Sequence, residues 1–248
     1  MTTLKIQANG ITDVGISKEV NQDNITFKIA TSNGEYCGLF AVADGVGGLS
    51  NGEIASEIAI SNLNRWWYGE FRENYNDIDK LISTLITSIK KTNKDILAYS
   101  MEKSSKAATT LSMLLIYKDK YYIIHVGDSR IYKYKKSLTR LTIDHSCLID
   151  KNVNGTVYKK SLLTQCLGAK NDFQYYYQVG EIQNDDTFIL CSDGIYKRIE
   201  DSDIGKIIKK NTSFWMGNWE NICKSLVEEA KRRGETDNIS IVVIKVNK

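Results

Sequence analysis

The sequence predicts an α+β fold in which two antiparallel sheets pack face to face, with helices on the outside. Nine short runs rich in β-branched and aromatic residues indicate strands, because such side chains suit a pleated, half-buried surface. These runs lie at about 2–8, 24–31, 36–43, 109–117, 121–126, 130–135, 174–180, 187–192 and 239–246. Helical patterns fall in blocks between strand pairs, which disfavours a parallel βαβ arrangement.

Three segments have the spacing of amphipathic helices. The clearest extends from Asp77 to Met101, where apolar residues recur at intervals of three and four. A second covers about 54–66, directly after a glycine-rich loop. A third covers about 222–230 and is followed by basic residues and Gly234, a typical helix end. No repeat or linker composition interrupts the chain, so we predict one domain over residues 1–248.

Composition argues against several classes of protein. The formal net charge of +3 comes from 33 basic and 30 acidic residues mixed along the chain, so nothing indicates a nucleic-acid partner. The five cysteines form no CxxC pair, as in a reduced cytosolic protein, and none is followed six positions later by the arginine of a cysteine-nucleophile phosphatase loop. Without an apolar signal segment or an eighteen-residue apolar run, we expect a cytoplasmic monomer with no membrane partner.

Four aspartates stand at the ends of predicted strands. Asp44 follows the apolar run 40–43, Asp128 lies in HVGDSR, Asp193 lies in CSDG, and Asp237 precedes the last strand. Acids that meet at strand ends repel one another unless cations neutralise them, and oxygen-only ligands on short side chains suit Mg²⁺ or Mn²⁺. Two such ions can activate water for attack on a phosphoryl group. The set indicates metal-assisted hydrolysis, with simple turn-forming acids as the alternative.

The chain resembles the bacterial type 2C metal-dependent serine/threonine protein phosphatases. Eight blocks follow in the order of that family between about Thr12 and Val246: TDVGISKEVNQDN, VADGVGG, TTLSMLLI, HVGDSRIY, LTIDHS, LTQCLGA, LCSDGIY and TDNISIVVI. The resemblance implies a four-layer α-β-β-α sandwich, two antiparallel sheets flanked by helix pairs, with metals in a cleft at one edge. It also implies hydrolysis of phosphoserine and phosphothreonine in proteins by a metal-activated water, and an opposing serine/threonine kinase.

The resemblance also implies a set of ligands for two Mn²⁺ or Mg²⁺ ions. Asp44 bridges the two ions, and the carbonyl of Gly45 binds the second one. Asp193 and Asp237 complete the shell of the first ion. Asp128, in the GDSR block, matches the acid that holds a third and weaker ion in bacterial members of the family.

Catalytic residues follow from the same resemblance, with two departures from the pattern. Asp23 matches the acid that orders the attacking water. Lys18 stands where the family usually has an arginine that clamps the substrate phosphate, and a lysine offers a point contact instead of a planar fork. We predict that Lys18 binds the substrate phosphate weakly, and the alternative is that Lys18 is a solvated surface lysine with no role in binding. Val46 replaces the histidine of eukaryotic members that is proposed to protonate the leaving group, as is usual in bacterial ones. For Asp144 and His145 we expect a loop-fixing role, with His145 as a proton donor to the leaving group as the alternative.

Residues 146–162 lie where the family places a flap over the substrate, and we predict a short polar flap, with an ordinary loop as the alternative. Two other functions remain open from the sequence. A weakly active pseudophosphatase that binds phosphoproteins is favoured by Lys18 and opposed by the complete set of aspartates. A metal-dependent nuclease is disfavoured because the chain shows no basic stripe and no aromatic platform.

Overall fold

The computed structural model describes residues 4–32, 34–46, 50–153, 156–212 and 219–247. The strands in these ranges are β1 Lys5–Asp13, β2 Asp23–Ser32, β3 Glu35–Asp44, β4 Leu111–Tyr117, β5 Lys120–Val126, β6 Arg130–Tyr134, β7 Leu138–Arg140, β8 Ser146–Val153, β9 Thr156–Leu163, β10 Tyr176–Glu181, β11 Thr187–Cys191 and β12 Ile239–Asn247. The helices are α1 Gly52–Tyr68, α2 Glu70–Glu73, α3 Ile78–Glu102, α4 Asp193–Tyr196, α5 Asp201–Thr212 and α6 Trp219–Arg232.

Two five-stranded sheets form the centre of the molecule. Sheet A has the order β1-β12-β11-β6-β7, and sheet B has the order β10-β5-β4-β3-β2. The pairings within both sheets are antiparallel. The sheets face each other across a buried apolar layer that includes Phe40 and Leu114 from sheet B and Phe188 and Val242 from sheet A. This arrangement confirms the predicted sandwich.

Helices cover the outer face of each sheet. Sheet B carries α1 and α3, and Leu81, Leu85 and Ile89 of α3 join the core beneath that layer. The α3 helix begins where the sequence predicts, because the Asp77 carboxylate accepts a hydrogen bond of 3.0 Å from the backbone N–H of Lys80. Sheet A carries α5 and α6 on its outer face. The two helix layers complete the four-layer α-β-β-α architecture.

The predicted flap is a β-hairpin made of β8 and β9. These strands pair only with each other among the described strands, from Ser146↔Leu163 to Val153↔Thr156. Asn154 and Gly155, the predicted turn, lie outside the described residues. The segment thus has regular strand pairing, and its role as a flap over the substrate stays a prediction. Its base is tied to sheet B, because the backbone N–H of His145 donates to the carbonyl of Gly127 at 2.7 Å.

In the part of the chain that the structure describes, no helix has both the length and the apolar character needed to cross a bilayer.

Candidate active site

The two aspartates of sheet B lie side by side at one end of that sheet. Asp23 is the first residue of β2 and Asp44 the last residue of β3, and the antiparallel register places them directly opposite each other. The backbone of Asp44 is fixed on its other side by Thr110, which donates its N–H to the Asp44 carbonyl at 2.8 Å and accepts the Asp44 N–H at 3.0 Å through its hydroxyl. Strand pairing thus places the two aspartates side by side, and Thr110 fixes the backbone of Asp44.

Sheet A contributes two more aspartates, at the ends of its strands that lie nearest to Asp23 and Asp44. Asp193 follows β11 and begins α4, whereas Asp237 lies just before β12, the neighbour of β11. A hydrogen bond joins the two sheets at this edge, because the hydroxyl of Ser192 donates to Oδ2 of Asp23 at 2.8 Å. The predicted acids of both sheets therefore meet in one region, although Asp23 and Asp237 are 214 positions apart in the sequence.

Asp128 reaches the same region from the turn between β5 and β6. Gly127 precedes it with φ = +113°, and a Cβ at that position would lie 2.5 Å from Cβ of Thr110, so the turn requires glycine. The Tyr196 hydroxyl donates to the Asp128 carbonyl at 2.8 Å and ties this turn to α4. The Asp128 side chain is buried.

Gly45, the predicted carbonyl ligand, is buried in a tight backbone crossing. Its N–H donates to the carbonyl of Gln22 at 3.1 Å. A Cβ on Gly45 would lie 2.5 Å from the backbone of Gly52 at the start of α1 and 2.6 Å from the Gln22 carbonyl. Only glycine fits here. Gly47 and Gly48, which the sequence assigns to the turn into α1, lie outside the described residues.

The acids raise one another's pKa values. Burial raises the pKa of Asp44 well above its ordinary value, and the charges of Asp23 and Asp193 raise it further. Burial raises the pKa of Asp23 to about 7, against the opposing effect of its serine hydrogen bonds. Burial and the charge of Asp193 raise the pKa of Asp128 to about 6. This electrostatic arrangement favours any cation that enters the region.

Two lysines supply positive charge beside Asp193 and Asp237. The Nζ of Lys197 lies 2.5 Å from Oδ2 of Asp193 and 3.5 Å from Oδ2 of Asp237. The Nζ of Lys18, the predicted phosphate contact, lies 3.1 Å from Oδ1 of Asp237. Burial alone would raise the pKa of Asp237, but the hydrogen bond from Lys18 and the charges of both lysines outweigh it and lower that pKa. Within the described ranges, no three acidic, histidine or cysteine side chains form a ready metal-ligand cluster.

Asn238 is a functional-site residue that sequence reasoning missed. Its Nδ2 donates to the carbonyls of Val14 and Val20 at 2.9 and 3.1 Å, and its Oδ1 accepts the N–H of Gln22 at 2.9 Å. These three bonds hold the segment that carries Lys18 against the start of β12. The family-like block TDNISIVVI contains this asparagine, but nothing in its residue type indicates which segment it binds.

The remaining predicted residues lie around the site in supporting positions. His125 is fully buried, and its Nδ1 lies 2.8 Å from the hydroxyl of Ser112. Asp144 binds the guanidinium of Arg130 through both carboxylate oxygens at 2.8 to 3.2 Å. Nδ1 of His145 accepts the backbone N–H of Gly127 at 3.3 Å. Asp144 and His145 are thus placed to fix the segment that leads into the flap.

Comparison with known proteins agrees with the fold and identifies the family. The family model for protein phosphatase 2C matches residues 16–233. A serine/threonine phosphatase (stp) of Listeria welshimeri is 27% identical over 247 residues, covering 95% of this chain and 94% of that protein. The protein phosphatase PhpP of Streptococcus pneumoniae is 26% identical over 247 residues, covering 96% of each chain.

Solved structures show the same fold. The serine/threonine phosphatase of S. agalactiae superposes with a TM-score of 0.80 at 24% identity, covering 97% of this chain and 99% of that one. The catalytic domain of the serine/threonine protein phosphatase PstP, solved in complex with two manganese ions, superposes with a TM-score of 0.78 at 24% identity, covering 99% and 100%.

The chain therefore belongs to the protein phosphatase 2C family, as its sequence blocks predict. Within that family it is a serine/threonine protein phosphatase, and its reaction is protein dephosphorylation. The alternative of a weakly active phosphoprotein-binding regulator is not favoured by these comparisons.

Proposed function

We propose that the chain hydrolyses phosphoserine and phosphothreonine in proteins with the aid of two Mn²⁺ or Mg²⁺ ions. The Asp44 carboxylate is the observation that carries this proposal. It lies among the acids of both sheets, and burial together with the charges of Asp23 and Asp193 raises its pKa strongly. A carboxylate in such surroundings is stable as an anion only when a cation binds it.

The residues of the site fit divalent ions of this kind. We assign two ions to the carboxylates of Asp44, Asp193 and Asp237 and the carbonyl of Gly45, and a weaker third ion to Asp128. All of these donors are oxygen atoms on short side chains or backbone, the type that Mg²⁺ and Mn²⁺ prefer. When bound, the ions lower the pKa of a water molecule and offset charge on the phosphoryl oxygens. PstP, which has the same fold, was solved with two manganese ions.

The side chains around the ions have separate tasks. Asp23 orients the attacking water and accepts its proton, because its carboxylate lies directly beside Asp44 at the end of the neighbouring strand. The hydroxyl of Ser192 holds the Asp23 carboxylate in place. Lys18 contacts the substrate phosphate, and its ammonium group already lies at the site beside Asp237. Val46 is apolar and supplies no proton to the leaving alkoxide.

The proposed substrates and setting follow from this chemistry. The phosphatase acts on phosphorylated proteins in the cytoplasm, as a monomer, and opposes a serine/threonine kinase. The relatives from Listeria and Streptococcus carry names of serine/threonine or protein phosphatases, which supports this class of substrate.

Phosphatase assays on metal-stripped protein test the proposal. With Mn²⁺ added, we expect turnover of p-nitrophenyl phosphate and of a phosphothreonine peptide, and EDTA should abolish both. Asp193→Ala should lower kcat by about 100-fold or more, because it removes a proposed ligand. Asp172→Ala, which changes an exposed aspartate in a loop, is the matched control and should leave kcat unchanged. Turnover that resists EDTA or the loss of Asp193 would contradict the proposal.

A further inference from the structure

Lys197 lies where a metal ion would bind. Its Nζ is 2.5 Å from Oδ2 of Asp193 and 3.5 Å from Oδ2 of Asp237. Both aspartates are proposed ligands of the same ion. The described part of the chain places no other ammonium or guanidinium group within ion-pair distance of Asp193; Arg130 instead binds Asp144 and stacks on the ring of Tyr196 at 3.6 Å.

The position of Lys197 is set by one helical turn. Asp193 is the first residue of α4 and Lys197 caps its end, and the Lys197 N–H donates to the Asp193 carbonyl at 2.9 Å. Residues four apart on such a turn present their side chains on the same face. The motif CSDGIYK therefore contributes the Asp193 carboxylate to the proposed metal site and also places the Lys197 ammonium beside that carboxylate.

The surroundings make this ion pair stronger than a surface pair of the same spacing. Lys224 and Glu220 on α6 are also four residues apart and 2.6 Å from each other, but their side chains are 56% and 52% exposed. The side chain of Asp193 is only 13% exposed. Water screens the α6 pair, whereas the buried Asp193 is surrounded by other acids and depends more on its cation.

A divalent ion and the Lys197 ammonium need the same carboxylate oxygens. The lysine stem is flexible and its side chain is 42% exposed, so the ammonium can move into solvent when an ion enters. Entry of the ion thus requires the Lys197–Asp193 ion pair to break and leaves an extra positive charge nearby. Both effects oppose the binding of the metal.

We infer that Lys197 competes with the metal ion for its ligands. In the metal-free enzyme the Lys197 ammonium binds Asp193 and Asp237, and this competition sets the affinity of the site for Mn²⁺. This inference rests on the metal site of the proposed function and adds a residue that regulates it. In the metal-free state Lys197 stabilises the fold by neutralising the acids. On metal binding it is displaced toward the solvent.

Calorimetric titration of Mn²⁺ into metal-stripped protein tests the inference. Lys197→Met removes the charge and keeps most of the aliphatic side chain. It should lower the dissociation constant for Mn²⁺ by a factor of about ten or more. Lys197→Gln, a second neutral variant, should lower the dissociation constant in the same way, whereas Lys197→Arg keeps the charge and should bind Mn²⁺ as the wild type does. Lys224→Met removes a charge from an ion pair of equal spacing on α6 and should leave the affinity unchanged.

Thermal unfolding gives a second readout that does not depend on activity. In EDTA, Lys197→Met should unfold at a lower temperature than the wild type, and saturating Mn²⁺ should raise its Tm by a larger amount. Equal Mn²⁺ affinity in the wild type and Lys197→Met, with phosphatase activity intact, would overturn the inference alone. Absence of Mn²⁺ binding in both proteins would overturn the inference together with the proposed function.

Discussion

Lys18 is the residue at which the chain departs most from the phosphatase pattern, and its ammonium group lies 3.1 Å from the carboxylate of Asp237. Asn238 holds the segment around it by accepting and donating three hydrogen bonds. The side chain is therefore positioned at the site, although it is 38% exposed. A lysine here gives a single point charge to an incoming phosphate, whereas an arginine would give two parallel hydrogen bonds.

Lys18→Arg should lower KM for a phosphothreonine peptide about fivefold, because the planar fork adds one charge-assisted hydrogen bond of about 1 kcal/mol to the phosphate. Steady-state kinetics at saturating Mn²⁺ measure this. Lys224→Arg makes the same exchange on α6, away from the site, and should leave KM unchanged. If Lys18→Arg leaves KM unchanged or raises it, Lys18 is a surface lysine and does not anchor the phosphate.

Single residues differ in how well the sequence predicts them. Asp44, Asp193 and Asp237 stand out because each lies at a strand end in a block with a recognisable order. Lys197 was missed, although its spacing of four from Asp193 is visible, because that spacing has meaning only once the short helix α4 is known. Asn238 was missed because its three partners lie more than 200 residues away in the sequence, and contacts of that range leave no local pattern.

At the scale of elements, strands and long amphipathic helices follow from periodicity, and the exceptions have physical reasons. The pattern from Asp77 predicts α3 because its buried positions recur at helical spacing. The α5 helix, Asp201–Thr212, was not predicted, although Ile204, Ile207 and Ile208 stand at helical spacing, because three apolar positions in twelve residues make a short pattern that is easily overlooked. The flap hairpin, formed by β8 and β9, was not recognised as strands because none of its side chains whose burial the structure describes is buried, so no buried face there imposes alternation.

The flap hairpin can be tested as a substrate-recognition element. It pairs with no other described strand and exposes apolar side chains such as Leu148 and Leu162, so it contributes little to the core of the sandwich. Replacing residues 148–161 by a two-residue turn should therefore shift Tm by only about 2–4 °C. It should lower kcat/KM for a phosphoprotein about fivefold or more through lost contacts, and leave kcat/KM for p-nitrophenyl phosphate within about twofold.

The small substrate serves as the internal control for the shortened flap. It offers no protein surface for the hairpin to recognise, so damage to the site itself would reduce both activities together. Equal losses on the two substrates would show that the hairpin supports the site instead of recognising the protein substrate. Unchanged activity on both would show that the hairpin contributes nothing to recognition.

At the scale of the whole molecule, the sandwich brings carboxylates from both sheets to one edge, and their mutual repulsion and burial lower the folding stability of the metal-free protein. Burial raises the pKa of Asp23 to about 7 and that of Asp128 to about 6, both from an ordinary value of 3.8. Each of these groups stabilises the fold when protonated and loses that contribution as the pH rises through its folded-state pKa. The metal-free protein should therefore become less stable between about pH 4 and pH 7.

Asp23→Asn should remove the part of this pH dependence that comes from Asp23. A pKa shift from 3.8 to about 7 corresponds to at most about 4 kcal/mol, since each unit is worth about 1.36 kcal/mol. In EDTA at pH 8 the variant should have a larger free energy of unfolding than the wild type, because an amide is never ionised. Below the ordinary pKa of 3.8 the wild-type carboxyl is protonated in both the folded and the unfolded protein, so the two proteins should be nearly equal only there, and the difference should grow as the pH rises toward 7. Urea denaturation at a series of pH values from below 3.8 up to 8 measures the difference.

The exposed Asp172 provides the control for this charge removal, and Asp172→Asn should follow the wild type at every pH. Added Mn²⁺ should reverse the order at pH 8, because the ions then stabilise the ionised acids of the wild type and Asp23→Asn lacks one of them. Equal unfolding free energies of wild type and Asp23→Asn in EDTA at pH 8 would contradict the raised pKa. The reversal by Mn²⁺ links the stability of the whole sandwich to the chemistry at its edge, since the same acids that destabilise the empty fold are those that attract the ions.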